Sequence, residues 1–345
     1  MIYSPFLRVY KMNTRDVFIN KSVWSKFTEQ EMIDYQELVF QFYRSHGFPY
    51  FPNDKPTRFT EYMKLMKYKG VPLKDGVLTQ TMHGLSLAWS YMPHSWEVVC
   101  NDKLTPMEVF NDDDLLKKVI AKRIKIGDNM SHNGLRKMLK MYTGVQSVSN
   151  FRPTAAYALY THFCEYGDTV LDMSSGFGGR ILGAMKAKVK YIGYDPSVLA
   201  HEGVRKLAGD FKYDCQLFCD GSENINLPPN SVDFAFTSPP YFDTEKYSDD
   251  AGQSYLKYKT TNDWLNGFIK DTFTNVYSCL KDGKYMLINV ANVPNYKTLE
   301  QDVIDMAISC GFVHEDTWQL ALSKPPSKNK TGYKYEPVFV FKKIK

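Results

Sequence analysis

The sequence predicts a doubly wound α/β domain from about residue 150, preceded by a mainly helical region. Three observations carry this. After Phe151, short β-branched or apolar runs alternate with helical ones, the pattern of a mostly parallel sheet with crossover helices. One of those runs leads straight into a glycine-rich turn and a further helix. Before residue 150 the apolar residues recur at helical spacing instead.

Strands are expected over Thr169–Met173, Lys190–Tyr194, Cys215–Cys219, Val232–Thr237, Tyr285–Asn289, Phe312–Leu322 and Val338–Phe341. Asp263–Leu280 has helical spacing through Trp264, Phe268 and Val276, and Lys281-Asp282-Gly283 offers a glycine for a left-handed helix exit. In the first part, Thr28-Glu29-Gln30-Glu31 is a capping-box signature followed by apolar residues as far as Gly47. Further helices are expected over Thr60–Lys69, Asp112–Lys125 and Asn133–Tyr142. The resulting division is 1–149, a helical region and candidate recognition domain, and 150–345, the sheet domain.

The 345 residues are 43% hydrophobic and 23% charged, which suits a packed globular chain and excludes a disordered or fibrous one. No apolar run reaches the roughly 18 to 20 residues that span a bilayer, and Met1–Tyr10 lacks a signal-peptide pattern, so a cytoplasmic protein without a membrane partner is expected. The six cysteines are scattered without zinc-ligand spacing, so no metal is expected. The net charge of +5 is unevenly spread. Lys117–Lys140 holds eight Lys and Arg against Asp128, and Lys324–Lys345 holds seven lysines against Glu336. Such stretches suit a polyanionic partner. A solvated helix face and a frayed tail are the plainer alternative.

Four motifs carry the chemistry. The first runs from Val170 to Arg180, an apolar strand ending at Asp172 and then Ser174, Gly176, Gly178 and Gly179 before a helix. Glycines let a ligand approach the backbone, and the helix start presents free amides. The second is Tyr191-Ile192-Gly193-Tyr194-Asp195, a strand ending in an acid about twenty residues later, where a carboxylate can accept ribose hydroxyls. An N-cap aspartate is the structural alternative. The third is Asp220, after another strand, placed to accept from an adenine amino group or simply to form a turn.

The fourth is Ser238-Pro239-Pro240-Tyr241 at the end of the Asp233–Thr237 run. Paired prolines stiffen the turn and contribute no amide donors. What remains is the Ser238 oxygen and the Pro239 carbonyl, both acceptors for an exocyclic NH2, with Tyr241 to stack on a base. A nucleobase amine is a poor nucleophile because its lone pair is delocalised into the ring. Acceptors aligned on its hydrogens favour a pyramidal nitrogen and free that lone pair.

In this combination and chain order, residues Asn150 to about Phe341 resemble the amino-group DNA methyltransferases that make N4-methylcytosine or N6-methyladenine, of the Ser-Pro-Pro-Tyr type. The resemblance implies a Rossmann-like class I methyltransferase fold, S-adenosylmethionine as cofactor, and double-stranded DNA as partner with the target base flipped out. It places the cofactor loop at Asp172 through Gly179, the ribose acid at Asp195 and the adenine-side acid at Asp220. Asn150 to Thr154 looks like the stretch that closes over the methionine part, with Phe151 and Thr154 as contacts. Ser238 to Tyr258, with Tyr247 and Gln253, looks like the loop that covers the flipped base. Met173 and Ser174 stand where the commonest pattern has Pro-Phe. Serine in the first position resembles the cytosine-N4 subset more than the adenine-N6 one, and Tyr241 in place of a cysteine nucleophile argues against cytosine-C5 chemistry. The implied setting is restriction-modification or phage protection in a bacterial or infected-host cytoplasm. RNA is the rival substrate, and a non-catalytic DNA-binding protein that keeps the fold is the alternative of a different class. A hydride-transfer enzyme has no use for the Pro-Pro-Tyr strand end.

Overall fold

The computed structural model describes residues 13–70, 73–127, 129–322 and 334–345. They form two compact units, one of residues up to 51 with 94–148, the other of 52–93 with 149–345.

In the larger unit a nine-stranded sheet is built from β1 (Leu73–Lys74), β2 (Val77–Leu78), β3 (Thr169–Asp172), β4 (Lys190–Tyr194), β5 (Cys215–Phe218), β6 (Val232–Thr237), β7 (Leu280–Asn289), β8 (Phe312–Ala321) and β9 (Tyr335–Lys343). Their order is β1-β2-β8-β9-β7-β6-β3-β4-β5. Strands β5, β4, β3, β6 and β7 are mutually parallel, and β9 is antiparallel to both β7 and β8. This is the doubly wound, Rossmann-like architecture expected from the sequence. The chain starts at β3, winds outward to β5, then returns to place β6 on the other side of β3. That reversal opens a crevice at the carboxyl ends of β3 and β6. Buried Phe234, Ala235 and Phe236 of β6 and Val170 and Leu171 of β3 form the floor beneath it.

Residues 52–93, expected in the helical N-terminal region, belong instead to this larger unit and supply β1 and β2. The reason is an edge. Strand β8 would otherwise end the sheet with unpaired backbone groups, and β2 pairs with it in parallel through Val77 opposite Gln319 and Leu78 opposite Leu320.

The helical stretch before β7 is continuous in three segments, Thr261–Asp263, a π-helical turn Trp264–Ile269, and Lys270–Cys279. It does not end at Gly283. Leu280 already begins β7, and Gly283, with φ of 75°, lies where the register between β6 and β7 shifts. The left-handed residue serves a bulge in the strand rather than a helix exit.

The smaller unit packs helices Glu29–His46, Asp113–Lys125 and His132–Met141 around Val39, Tyr43, Val119, Ile120, Leu135 and Leu139. The expected capping box is present: the Glu31 amide donates to Thr28 Oγ1 at 3.3 Å and the Thr28 amide to the Glu31 carboxylate at 2.8 Å. The basic stretch in this unit is not one solvated face. Arg123 and Arg136 are buried, donating to the carbonyls of Asn129 at 2.8 Å and Pro49 at 2.7 Å. Lys117 pairs with Glu37 at 3.1 Å, and Lys140 lies over the Trp96 ring, where desolvation and Arg136 push it down to about 8. Lys118, Lys122 and Lys125 remain exposed at i, i+4 and i+7 of one helix face, with Lys137 exposed on the next helix. Asp128 lies outside the described residues, as do Lys324, Lys328 and Lys330 of the second basic stretch. Of that stretch, Lys342 pairs with Glu315 at 3.4 Å and Lys343 is buried, donating to the Leu280 carbonyl.

Candidate active site

Asp172 ends β3 and is fully enclosed. Its Oδ2 accepts from Arg180 Nε at 2.7 Å and from the Tyr191 hydroxyl at 2.6 Å, and its Oδ1 accepts from Thr237 Oγ1 at 3.2 Å and the Ser174 amide at 3.2 Å. With four donors from its own chain, Asp172 is a keystone that ties β3, β4, β6 and the glycine turn together. It holds the turn in shape instead of presenting a free carboxylate to a ligand. Arg180, also buried, reaches back to the Ser174 carbonyl, and Asp172 beside it raises its already high pKa despite the cost of desolvation. The sequence reading missed the roles of Arg180, Tyr191 and Thr237. The available signal was an arginine in the first turn of a helix that is apolar from there to Met185, following an acid at a strand end.

The turn itself needs glycine at two places. Gly176 and Gly178 have φ of 57° and 80°, and Gly178 starts the helix Gly179–Ala187. A Cβ on Gly179 would overlap the Phe151 carbonyl oxygen, so this helix is pressed against the 150–151 segment. Asn150 Nδ2 donates to the Phe177 carbonyl at 2.9 Å, clamping the turn from that side. Phe151 sets its ring edge-on to Phe236 of β6 at 5.0 Å. Thr154 faces elsewhere: it is fully buried and accepts from the Thr81 amide at 3.0 Å, so its hydroxyl is used within the fold and not at the crevice.

Asp195 follows β4 and stays partly accessible. Its two oxygens each accept one backbone amide, Gly176 at 2.7 Å and Ser197 at 2.9 Å. Burial, with the Asp172 carboxylate adding, pushes it up to about 6 against the pull of those two amides. Each oxygen retains a lone pair for a further donor. Asp220, beyond β5, is exposed, and its Oδ1 accepts from the Gly221 amide at 2.7 Å and from Asn224 Nδ2 at 2.8 Å, closing its own turn.

Ser238-Pro239-Pro240-Tyr241 leaves β6 immediately after Thr237, so the Thr237 to Asp172 bond sets the acceptor turn beside the glycine turn across the crevice. Tyr241 is not laid open as a stacking platform. It packs against the buried core beside β6, and that burial raises its hydroxyl well above the ordinary tyrosine value. Phe242 follows in the left-handed region, φ 57°, a conformation that costs a bulky residue on the order of 1–3 kcal/mol. Its ring is wedged edge-on against Trp264 at 6.2 Å and Tyr296 at 6.4 Å, which holds the turn in that conformation. No sequence pattern announces this.

The following loop folds back over the glycine turn. Tyr247 meets Phe177 at 5.8 Å, and Phe177 meets Trp89 of the 52–93 segment at 5.5 Å. Asp250 accepts from the Val198 amide at 3.1 Å, at the start of helix Val198–Asp210, and Gly252 lies against Pro196. Gln253 is buried and donates to Ser248 at 3.0 Å, within the loop.

No protein-family model and no curated protein sequence matches the chain. Among solved structures it is similar to TrmN from Thermus thermophilus, with a TM-score of 0.41 and 14% identity over 62% of this chain and 67% of that one. It is also similar to a SAM-dependent O-methyltransferase from Thermotoga maritima, at 0.40 and 11% over 57% and 68%. A third is a SAM-dependent methyltransferase from Methanosarcina mazei, at 0.39 and 12% over 54% and 97%.

Proposed function

We propose that this chain is a DNA methyltransferase that transfers the methyl group of S-adenosylmethionine to the exocyclic amine of a flipped base, N4 of cytosine in preference to N6 of adenine. One observation carries the reading. The turn Ser238-Pro239-Pro240-Tyr241, whose two prolines contribute no amide donors, and the glycine turn stand at the carboxyl ends of the adjacent strands β6 and β3, joined by the Thr237 to Asp172 hydrogen bond, with Asp195 following β4 on the far side of β3. This neighbourhood supports the reading of Ser238 and the Pro239 carbonyl as an acceptor pair for an amine beside a nucleoside-type cradle.

The residues fit the cofactor. Gly176 and Gly178 keep side chains off the turn, and Asp195 has acceptor capacity left for ribose hydroxyls. When bound there, S-adenosylmethionine supplies a sulfonium-activated methyl group. Ser238 and the Pro239 carbonyl orient the amine's hydrogens, so that its lone pair is directed into the crevice.

Asp195 must be ionised to accept both hydroxyls, and its pKa near 6 makes this testable. Because the carboxyl is raised, affinity is full above that value and lost as pH falls through it. Calorimetry should give S-adenosylmethionine binding about tenfold weaker at pH 5 than at pH 7. Asp195→Ala should bind roughly 10- to 100-fold more weakly at pH 7, a charge-assisted hydrogen bond's worth, and lose the pH dependence. A variant that binds as tightly as wild type would reduce Asp195 to a brace for Gly176 and Ser197.

Lys118, Lys122, Lys125 and Lys137 are exposed cations of the first basic stretch, as is the ion-paired Lys117, and these four are the proposed phosphate contacts. Changing Lys118, Lys122 and Lys125 to glutamate should weaken binding to any duplex and flatten its salt dependence, measured by fluorescence anisotropy. Unchanged binding would move the DNA surface elsewhere. The deciding experiment incubates the protein with S-adenosylmethionine and unmethylated genomic DNA and identifies methylated nucleosides by mass. N4-methylcytosine supports the reading in full, and N6-methyladenine corrects the base. Product only on RNA replaces the substrate, and none on either while the cofactor binds points to a non-catalytic protein.

A further inference from the structure

We infer that residues 247–252 are a strap across the cofactor cradle, and that S-adenosylmethionine enters and leaves only when this strap lifts on two fixed feet. The inference rests on the cofactor half of the reading above and is independent of which base, or which nucleic acid, is methylated.

Both feet stand on one residue. Trp264, fully buried at the start of the π-helical turn, touches the chain on either side of the strap. Before the strap, the Phe242 ring lies against it at 6.2 Å. After the strap, Trp264 Nε1 donates to buried Ser254 Oγ at 3.3 Å. A segment whose two ends are pinned at one place has the form of a compact surface loop, with a tip that can swing while its base stays put.

The tip is braced from within. Ser248 Oγ donates to the Asp250 carboxylate at 2.7 Å and accepts from Gln253 Nε2 at 3.0 Å. The Gln253 amide donates to the Asp250 carbonyl at 2.9 Å, and the Tyr255 hydroxyl to the Ser248 carbonyl at 2.8 Å. These bonds make the tip move as one piece.

Its outward contacts fall on both walls of the cradle. Tyr247 meets Phe177, inside the glycine turn after β3, at 5.8 Å. On the other wall Asp250 accepts from the Val198 amide at 3.1 Å, and a Cβ on Gly252 would come within 2.9 Å of the Pro196 Cβ. Pro196 and Val198 follow directly on Asp195. The strap therefore bridges the two turns assigned to the cofactor, whereas the resemblance gives this stretch a flipped base to cover.

Feet and latches differ in what water can do for them. The Trp264 contacts are buried, so breaking them returns nothing from solvent. The Val198 amide lies at the exposed start of helix Val198–Asp210, where Ser197 caps the Ala200 amide and leaves Val198 to Asp250. Water replaces Asp250 there when the strap lifts. Opening breaks the latches and spares the feet.

Surface plasmon resonance of S-adenosylmethionine on the immobilised full chain reads both rates. A gate scales entry and exit alike, because both pass through the open fraction. Asp250→Ala should raise the association and dissociation rate constants about fivefold each, the weight of one carboxylate at a helix start. Tyr247→Ala/Asp250→Ala should raise both about 20-fold, with the dissociation constant within about twofold of wild type. Asp250→Asn, which keeps an acceptor for the Val198 amide, should fall between wild type and Asp250→Ala. Hydrogen exchange over residues 248–257 needs no turnover: it should quicken in the same variants without cofactor, and slow in the wild type when cofactor is added. Unchanged rates in Asp250→Ala overturn the gate. Faster dissociation with unchanged association also overturns it, since a strap that only grips the cofactor does not control its entry. Either result leaves cofactor binding intact, and a wild-type chain that does not bind S-adenosylmethionine overturns the cofactor reading and the gate together.

Discussion

Arg180→Met should lower the stability of the larger unit by about 3–5 kcal/mol and abolish measurable binding of S-adenosylmethionine. The guanidinium is the cationic partner of the enclosed Asp172 carboxylate, at 2.7 Å, and it also holds the Ser174 carbonyl of the glycine turn. Removing it leaves a buried charge whose remaining donors, Tyr191, Thr237 and the Ser174 amide, are all neutral. Urea unfolding gives the stability change and calorimetry the binding. The companion variant Arg180→Met/Asp172→Asn removes the charge with its partner and should recover more than half of the lost stability, since buried pairs cost little when replaced together. If the single variant unfolds at the wild-type midpoint, Asp172 is not the keystone of the glycine turn.

Ser238→Ala should reduce single-turnover methyl transfer by roughly 100-fold while leaving the cofactor dissociation constant unchanged, the scale seen when one preorganised polar contact to a reacting group is deleted. In the proposed reading two acceptors face the amine, and the variant keeps only the Pro239 carbonyl. Ser238→Asn, which restores an acceptor oxygen, should recover part of the loss. A fall in cofactor affinity of the same size as the fall in rate would mean that Ser238 braces the crevice and does not orient the amine.

These expectations draw unequally on the sequence and the fold. Strand positions were legible because their signal is local: each buried parallel strand is a short apolar run, and all seven expected runs are strands of the sheet. The helix opened by Thr28 and Glu31 was legible for the same reason, since a capping box closes within four residues. Gly283 misled because a left-handed residue looks the same in sequence whether it ends a helix or kinks a strand. Residues 52–93 were assigned to the wrong unit because β1 and β2 are two residues each, too short for any periodicity, and exist only because β8 offers an edge.

The candidate site divides along the same line. From the sequence alone came the glycine turn, Asp195 and Ser238 to Tyr241, because a loop that must admit a ligand or withhold amide donors is restricted to glycine and proline, and those residues are visible anywhere. Only the tertiary structure decided which polar groups are spent inside the fold. Asp172 and Thr154 are taken by Arg180, Tyr191, Thr237 and Thr81, Asp220 by its own turn, and Arg123 and Arg136 by backbone carbonyls. A hydrogen bond or an ion pair depends on a few ångströms between residues distant in sequence, and that spacing is set by sheet order and register, which no local pattern encodes.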